Sequence, residues 1–150
     1  MTDRPPEDPQ RLAEAVAERM WADDHATRHL GIERLAVGPG HARLRMRVRP
    51  EMTNGHGICH GGYIFLLADS TFAFACNSHD QRTVAASAEV HFLEAAKEGD
   101  VLTAEGREQH RRGRSGVYDM TVRDQNDRLI ALFRGKSATI KGRIVGSDEP

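Results

Sequence analysis

The chain has 150 residues, of which 39% are hydrophobic and 29% charged, with a formal net charge of −1. That length holds one ordinary domain with a real core and is too short for two. The near-zero charge favours neither nucleic acid nor a membrane surface, and no apolar run approaches the ~18 uninterrupted residues of a spanning helix, so the expected ligand is a small molecule.

Residues 1–9 contain Pro5, Pro6 and Pro9 without an apolar pattern and read as a disordered tail. They hold no apolar core of a signal peptide, and Cys59 and Cys76 form no CxxC pair, which points to a cytoplasmic protein with reduced thiols. From residue 10, Leu12, Val16, Met20 and then Trp21 recur at helical spacing until Gly31, predicting an amphipathic N-terminal helix. The segments "IERLAV" and "HARLRMRV" flank a "GPG" turn. In the second, Ala42, Leu44, Met46 and Val48 alternate with His41, Arg43, Arg45 and Arg47, the period of an antiparallel strand with one wet face.

After the loop "RPEMTNGHGICHGG", Tyr63 to Cys76 is apolar on every side except at Asp69, Ser70 and Thr71. A helix of that kind must be wrapped by other structure. Four strands are then expected as a meander, Thr83 to Leu93, Val101 to His110, Val117 to Arg123 and Leu129 to Ile140, broken by "KEGD", "RRGRSG" and "DQNDR". Residues 141–150 read as a frayed C-terminal tail. The expected fold class is α+β: one domain over residues 10–140, with a curved antiparallel sheet wrapped around one long central helix.

"HGGYIFLLADSTFAFACNS", with Asn54 upstream, resembles the signature of the hotdog-fold acyl-CoA thioesterases of the phenylacetic acid degradation (PaaI) type. The resemblance is most specific in the spacing of His60, Gly61, Gly62 and Asp69 and in Asn77–Ser78. It implies dimers that pair into tetramers, with two active sites at each dimer interface. It also implies an acyl-CoA substrate, for which coenzyme A is a part of the substrate and no separate cofactor or metal is needed. Position by position it assigns the catalytic set: Gly61 to hold the thioester oxygen, Asp69 to act as base or nucleophile, His60 to orient the site or stand near the leaving sulfur, and Asn54 to position water or the carboxylate.

The residues themselves support a shared site. Gly61 and Gly62 open the helix, so exposed N–H groups at its positive end can approach a developing oxyanion without a Cβ in the way. Asp69 lies eight positions on, about 12 Å along the axis. One carbonyl cannot touch both ends of that span, whereas two helices running antiparallel across a two-fold axis bring Gly61 of one copy to Asp69 of the other. Arg111, Arg112 and Arg114 crowd a turn whose N–H groups, with Ser115 and Gly116, offer a cradle for the phosphates of coenzyme A.

Other chemistries fit less well. His56, Cys59 and His60 cluster as metal ligands would, but the surrounding glycines make this a loop and not a helix face. Ser70 and Ser78 sit in no GxSxG elbow. Asp24 and His29 have hydratase-like spacing but lie in the N-terminal helix. Two functional classes remain: a thioester hydrolase, and a non-catalytic acyl-CoA binding or sensing module on the same fold. Aryl-acyl groups such as phenylacetyl or hydroxyphenylacetyl are favoured by the resemblance alone, with medium-chain fatty acyl groups as the other option.

Overall fold

The computed structural model describes residues 4–147. Helix α1 (Pro9–Asp23) starts where the carboxylate of Asp8 accepts the Arg11 N–H at 3.0 Å, with Pro9 in the first turn, where no N–H is needed. Asp8 and Pro9, assigned by sequence to a tail, therefore begin the helix, and residues 1–3 lie outside the described residues. The single N-terminal helix is in fact two. Asp24 ends α1 and caps α2 (His25–His29), its Oδ1 accepting from the Thr27 N–H at 3.1 Å. A short polar side chain offering the backbone a local partner is a sufficient cause for the break.

The strands are β1 (Glu33–Gly38), β2 (His41–Arg47), β3 (Thr83–Phe92), β4 (Val101–Arg112), β5 (Ser115–Arg123) and β6 (Leu129–Thr139). They form one antiparallel sheet in the order β1-β2-β4-β5-β6-β3. The expected meander holds for β4, β5 and β6. The first of the four strands departs from it, because β3 pairs with β6 at the far edge and not with β4. The intervening helix α3 (Gly61–Asn77) carries the chain across the concave face, from β2 near one edge to β3 at the other. Asn77 fixes the arrival by a reciprocal clasp: its Nδ2 donates to the Thr83 carbonyl at 3.0 Å and its Oδ1 accepts from the Thr83 N–H at 2.9 Å.

The alternation read in β2 appears as burial: Ala42, Leu44, Met46 and Val48 face the core while the arginines between them are more exposed. Phe72 of α3 occupies the centre, 5.4 Å from the ring of Tyr118 and 5.8 Å from that of Phe133. It seats directly over Gly135, where a Cβ would stand 2.8 Å from the phenyl ring. The helix is not enclosed on all sides, as the sequence pattern suggests. Ile64, Leu67, Ala68 and Phe72 are buried, but Leu66, Asp69 and Ala73, one helical stripe, are only half-buried.

The C-terminal segment also differs from expectation over residues 144–146. The carboxylate of Asp80, 1% exposed, accepts from the N–H groups of Ile144, Val145 and Gly146 at 2.8–2.9 Å. These residues are a strap bound to the domain rather than part of a frayed tail; residues 148–150 lie outside the described residues.

Because Phe72 joins helix to sheet and has no exposed surface to relax into, Phe72→Ala is expected to cost about 3–5 kcal/mol of folding stability, read as a lower urea midpoint with an unchanged m-value.

Candidate active site

The loop that delivers α3 is held at both ends. Met52 is buried, its carbonyl accepts the His60 N–H at 2.8 Å, and the Cys59 N–H donates to the Ala96 carbonyl at 2.8 Å. Between these ties the chain turns at Asn54–Gly57, with Gly57 at φ +74°, a conformation natural to glycine. Asn54 Oδ1 accepts from the N–H of His56 at 3.0 Å and of Ile58 at 3.4 Å. Its oxygen thus organises its own turn, while its Nδ2 donates to nothing among the described residues.

His60 is the N-cap of α3: its Nδ1 accepts the Gly62 N–H at 2.9 Å, and its side chain is exposed. This consumes one of the first-turn donors and leaves the Gly61 N–H without an acceptor among the described residues. Gly61 lines a cleft of about 470 Å³ with Asn54, Ile58, Cys59, Ile64, Phe92 and residues 93–96. A Cβ on Gly61 would lie 2.9 Å from the ring of Phe92, so the free N–H is reached over a bare glycine. The structure therefore brings Asn54, His60 and Gly61 together at one end of α3.

Asp69 is elsewhere, eight residues along the same helix and outside that cleft. It has neither an ion pair nor a hydrogen bond among the described residues, and burial raises its pKa from the ordinary aspartate value. Next to it, Ser70 donates to Thr27 Oγ1 at 2.8 Å, and Thr27 donates in turn to Asp24 Oδ2 at 2.7 Å. Asp24 is thus occupied in pinning α2 to α3.

Cys59 and Cys76 are free and buried, and burial pushes their thiols up to about 11 and about 12, so neither is an activated nucleophile. Among the described residues no group of three His, Cys, Asp or Glu side chains is placed to hold a metal.

The arginine-rich turn is shorter than its sequence suggests. Arg111 and Arg112 end β4, Ser115 and Gly116 begin β5, paired as Arg112 with Ser115 and Arg111 with Gly116, and only Gly113–Arg114 turn. Arg111 lies 3.8 Å from Glu108. Gly116 is buried, and a Cβ there would meet Ser137 Oγ and the Tyr118 ring at 2.8 Å, so it serves packing. Arg114 reaches a separate cleft shared with Gln81 and residues 139–143. Sequence reasoning missed Gln81, Lys141 and Arg143 there; the "KGR" run just past the last strand was the available signal.

Glu108 was also missed. It accepts from Tyr118 Oη at 3.0 Å and lies 2.7 Å from His79 Nε2. Burial raises its pKa, but the bonds from His79 and Tyr118 outweigh that and lower it overall.

An antiparallel sheet curled over a glycine-opened helix, with an acid midway along it, defines a hotdog thioesterase, and the chain belongs to the thioesterase superfamily, which residues 56–131 match. It is a thioester hydrolase. The acyl-coenzyme A thioesterase PaaI of Escherichia coli K12 is 42% identical over 130 residues, 87% of this chain and 93% of that protein. The structure of the E. coli PaaI protein from the phenylacetic acid degradation operon superposes with a TM-score of 0.89 at 39% identity, over 91% of this chain and 99% of that one. A Streptococcus mutans protein solved with acetyl-CoA bound gives 0.71 at 27% identity, over 75% and 90% of the two chains.

A group whose folded pKa is lowered contributes stability above its unfolded pKa and loses it as pH falls through the folded value. Glu108→Gln is therefore expected to be less stable than wild type at pH 7, on the order of 1 kcal/mol, with the gap closing in acid when urea unfolding is compared at the two pH values.

Proposed function

We propose that this chain hydrolyses aryl-acyl-CoA thioesters, phenylacetyl-CoA or hydroxyphenylacetyl-CoA, to the free acid and coenzyme A, at a site shared by two copies. The observation that carries the reading is Asp69. It is a half-buried carboxylate without a partner among the described residues, on a stripe of α3 that its own sheet leaves uncovered. A structural acid in that setting would have a partner. One whose partner is a reacting water or carbonyl would not.

The free Gly61 N–H supplies the complementary half, at a distance that no single chain can close. A second α3 laid antiparallel along the stripe of Leu66, Asp69 and Ala73 covers it and sets Gly61 of each copy near Asp69 of the other. The edge strand β3 supports such a pairing. Its outer backbone groups have no strand beside them among the described residues, and Val84 and Phe92 are 47% and 53% exposed at its two ends. Two such dimers form the tetramer.

In the reaction, the Gly61 N–H donates to the thioester oxygen as negative charge develops there. Asp69 takes a proton from water as the water oxygen adds to the carbonyl carbon, or attacks that carbon itself to give a mixed anhydride that water then opens. The C–S bond breaks, and the thiolate leaves and takes up a proton. His60 holds the first turn in place through Gly62, and Asn54 presents its free Nδ2 to the water or the carboxylate. Arg111, Arg112, Arg114, Ser115 and Gly116 mark the hairpin beside which the phosphates of coenzyme A lie. Water is the only co-substrate, and no cofactor enters. The free Cys59 and Cys76 suit a cytoplasmic setting; no helix among the described residues is long and apolar enough to cross a membrane.

Thiol release from a panel of phenylacetyl-, hydroxyphenylacetyl- and medium-chain acyl-CoA esters tests the reading, and binding without turnover would establish a sensor instead. Asp69→Asn is expected to lower kcat by about a thousandfold or more. Because an acid with a raised folded pKa destabilises the fold once ionised, the same variant is expected to melt a few degrees higher at pH 7. Full activity in Asp69→Asn would overturn the assignment. The acid limb of kcat/KM is expected above the pH of an ordinary aspartate, since the base must be ionised and burial opposes that.

A further inference from the structure

One wall of the Gly61 cleft is the connection between β3 and β4, residues 93–96, which lie outside helix and strand. Such a segment holds its place only through ties to its neighbours. On the sheet side, the Ile130 carbonyl accepts from the N–H groups of Leu93 at 2.9 Å and Glu94 at 3.3 Å. On the other side, the Ala96 carbonyl accepts the Cys59 N–H at 2.8 Å, and Ile58 and Lys97 form an antiparallel bridge. The loop that ends at Gly61 therefore hangs on this connection, two residues before the free N–H.

Between those ties, the Ala95 carbonyl accepts from Arg128 Nη2 at 2.6 Å, and Nη1 of the same guanidinium is 3.7 Å from the Glu94 carboxylate. Arg128 ends the β5–β6 turn and is itself held by Asp124, whose side chain is 3% exposed. Asp124 Oδ2 accepts Arg128 Nε at 3.1 Å, while its Oδ1 accepts the N–H groups of Asn126 and Arg128 at 2.9 Å. The turn closes without the guanidinium, since the Asp124 N–H donates to the Arg128 carbonyl and the Asp127 N–H to the Asp124 carbonyl, both at 3.0 Å. The guanidinium is thus surplus to the turn and directed at the cleft wall. Locked to a buried carboxylate at one edge and bonded to a carbonyl at the other, its planar fork makes a rigid strut.

We propose that Arg128, oriented by Asp124, is a positioning residue for the Gly61 N–H, acting through Ala95, Ala96 and the Cys59 N–H. The inference rests on the reading of Gly61 as the donor to the thioester oxygen. Such a donor works only when aimed at the point where charge develops, and a misplacement of about 1 Å costs on the order of a hundredfold in rate. The same strut steadies Phe92, which directly precedes the connection and whose ring lies against Gly61. Arg128 does not line the cleft, so its effect reaches the thioester only through these groups.

The test measures phenylacetyl-CoA hydrolysis and amide hydrogen exchange in the same variants. Arg128→Ala is expected to lower kcat about tenfold or more with little change in KM, and to speed exchange of the Cys59 amide by a similar factor. Arg128→Lys, which keeps a cationic donor for the Ala95 carbonyl, is expected to recover much of both. In a Gly61→Ala background, where the added Cβ already displaces the donor against Phe92, Arg128→Ala is expected to cost little more. The Arg128 side chain is 45% exposed, so its removal opens no core void. Should Arg128→Ala nevertheless not fold, Asp124→Asn, which keeps an oxygen for the turn and removes the charge that orients the guanidinium, carries the same expectation. A wild-type kcat, a change in KM alone, an equal fall in kcat with and without Gly61→Ala, or Arg128→Lys no better than Arg128→Ala would overturn the proposal. If wild type turns over no acyl-CoA, the hydrolase reading fails on its own account, and the strut is judged by exchange: an unchanged Cys59 rate rejects it.

Discussion

The seating of Phe72 over Gly135 is the contact on which the rest of the molecule depends. A helix lying on a sheet can roll about its own axis, and each residue of roll moves every side chain by about 100°. The bare backbone at Gly135 admits the ring and the rings of Tyr118 and Phe133 enclose it, so α3 has one rotational setting. Ser70, tied through Thr27 to Asp24, fixes the same setting from the opposite side. With Phe72 inward and Ser70 against α2, Asp69 and its stripe can only face outward. The proposed catalytic acid is aimed by residues outside the proposed site.

That aim has an energetic consequence. Asp69 is held where burial works against its charge and no neighbour among the described residues compensates, so the fold tolerates an interaction it does not benefit from. The Gly61 end shows the same economy in reverse: an N–H donor is left unsatisfied while its neighbour, Gly62, is capped by His60. Donor and acid are complementary and both unmet among the described residues, as the proposed site divided between two copies requires. Under the proposed function, pairing and catalysis become one requirement, since one surface would complete both.

Much of this was legible in the residues. Period-two alternation in "HARLRMRV" gave β2 and its buried face, and the apolar run with one acid gave α3; the eight-residue separation of Gly61 from Asp69 is what the proposed composite site is argued from. What was not legible depends on partners distant in sequence. The pairing of β3 with β6 follows from how far α3 carries the chain, which no local pattern encodes. Asp24 reads as one more polar residue in a helix until its side chain is seen competing for the Thr27 N–H. The roles of Asp80 and Glu108 arise from groups many positions away, Ile144 to Gly146 in one case and His79 in the other. The hairpin arginines were noticed as a run, but only the register separates Arg114, in the turn, from Arg111, beside Glu108.

The strap at Asp80 also bears on how the protein is handled. Its three N–H donors lie at residues 144–146, so one buried side chain holds this segment to the domain. Pro5 packs beside Gly146, 3.6 Å from where a Cβ there would lie. A tag joined next to either segment would therefore load the same corner of the fold.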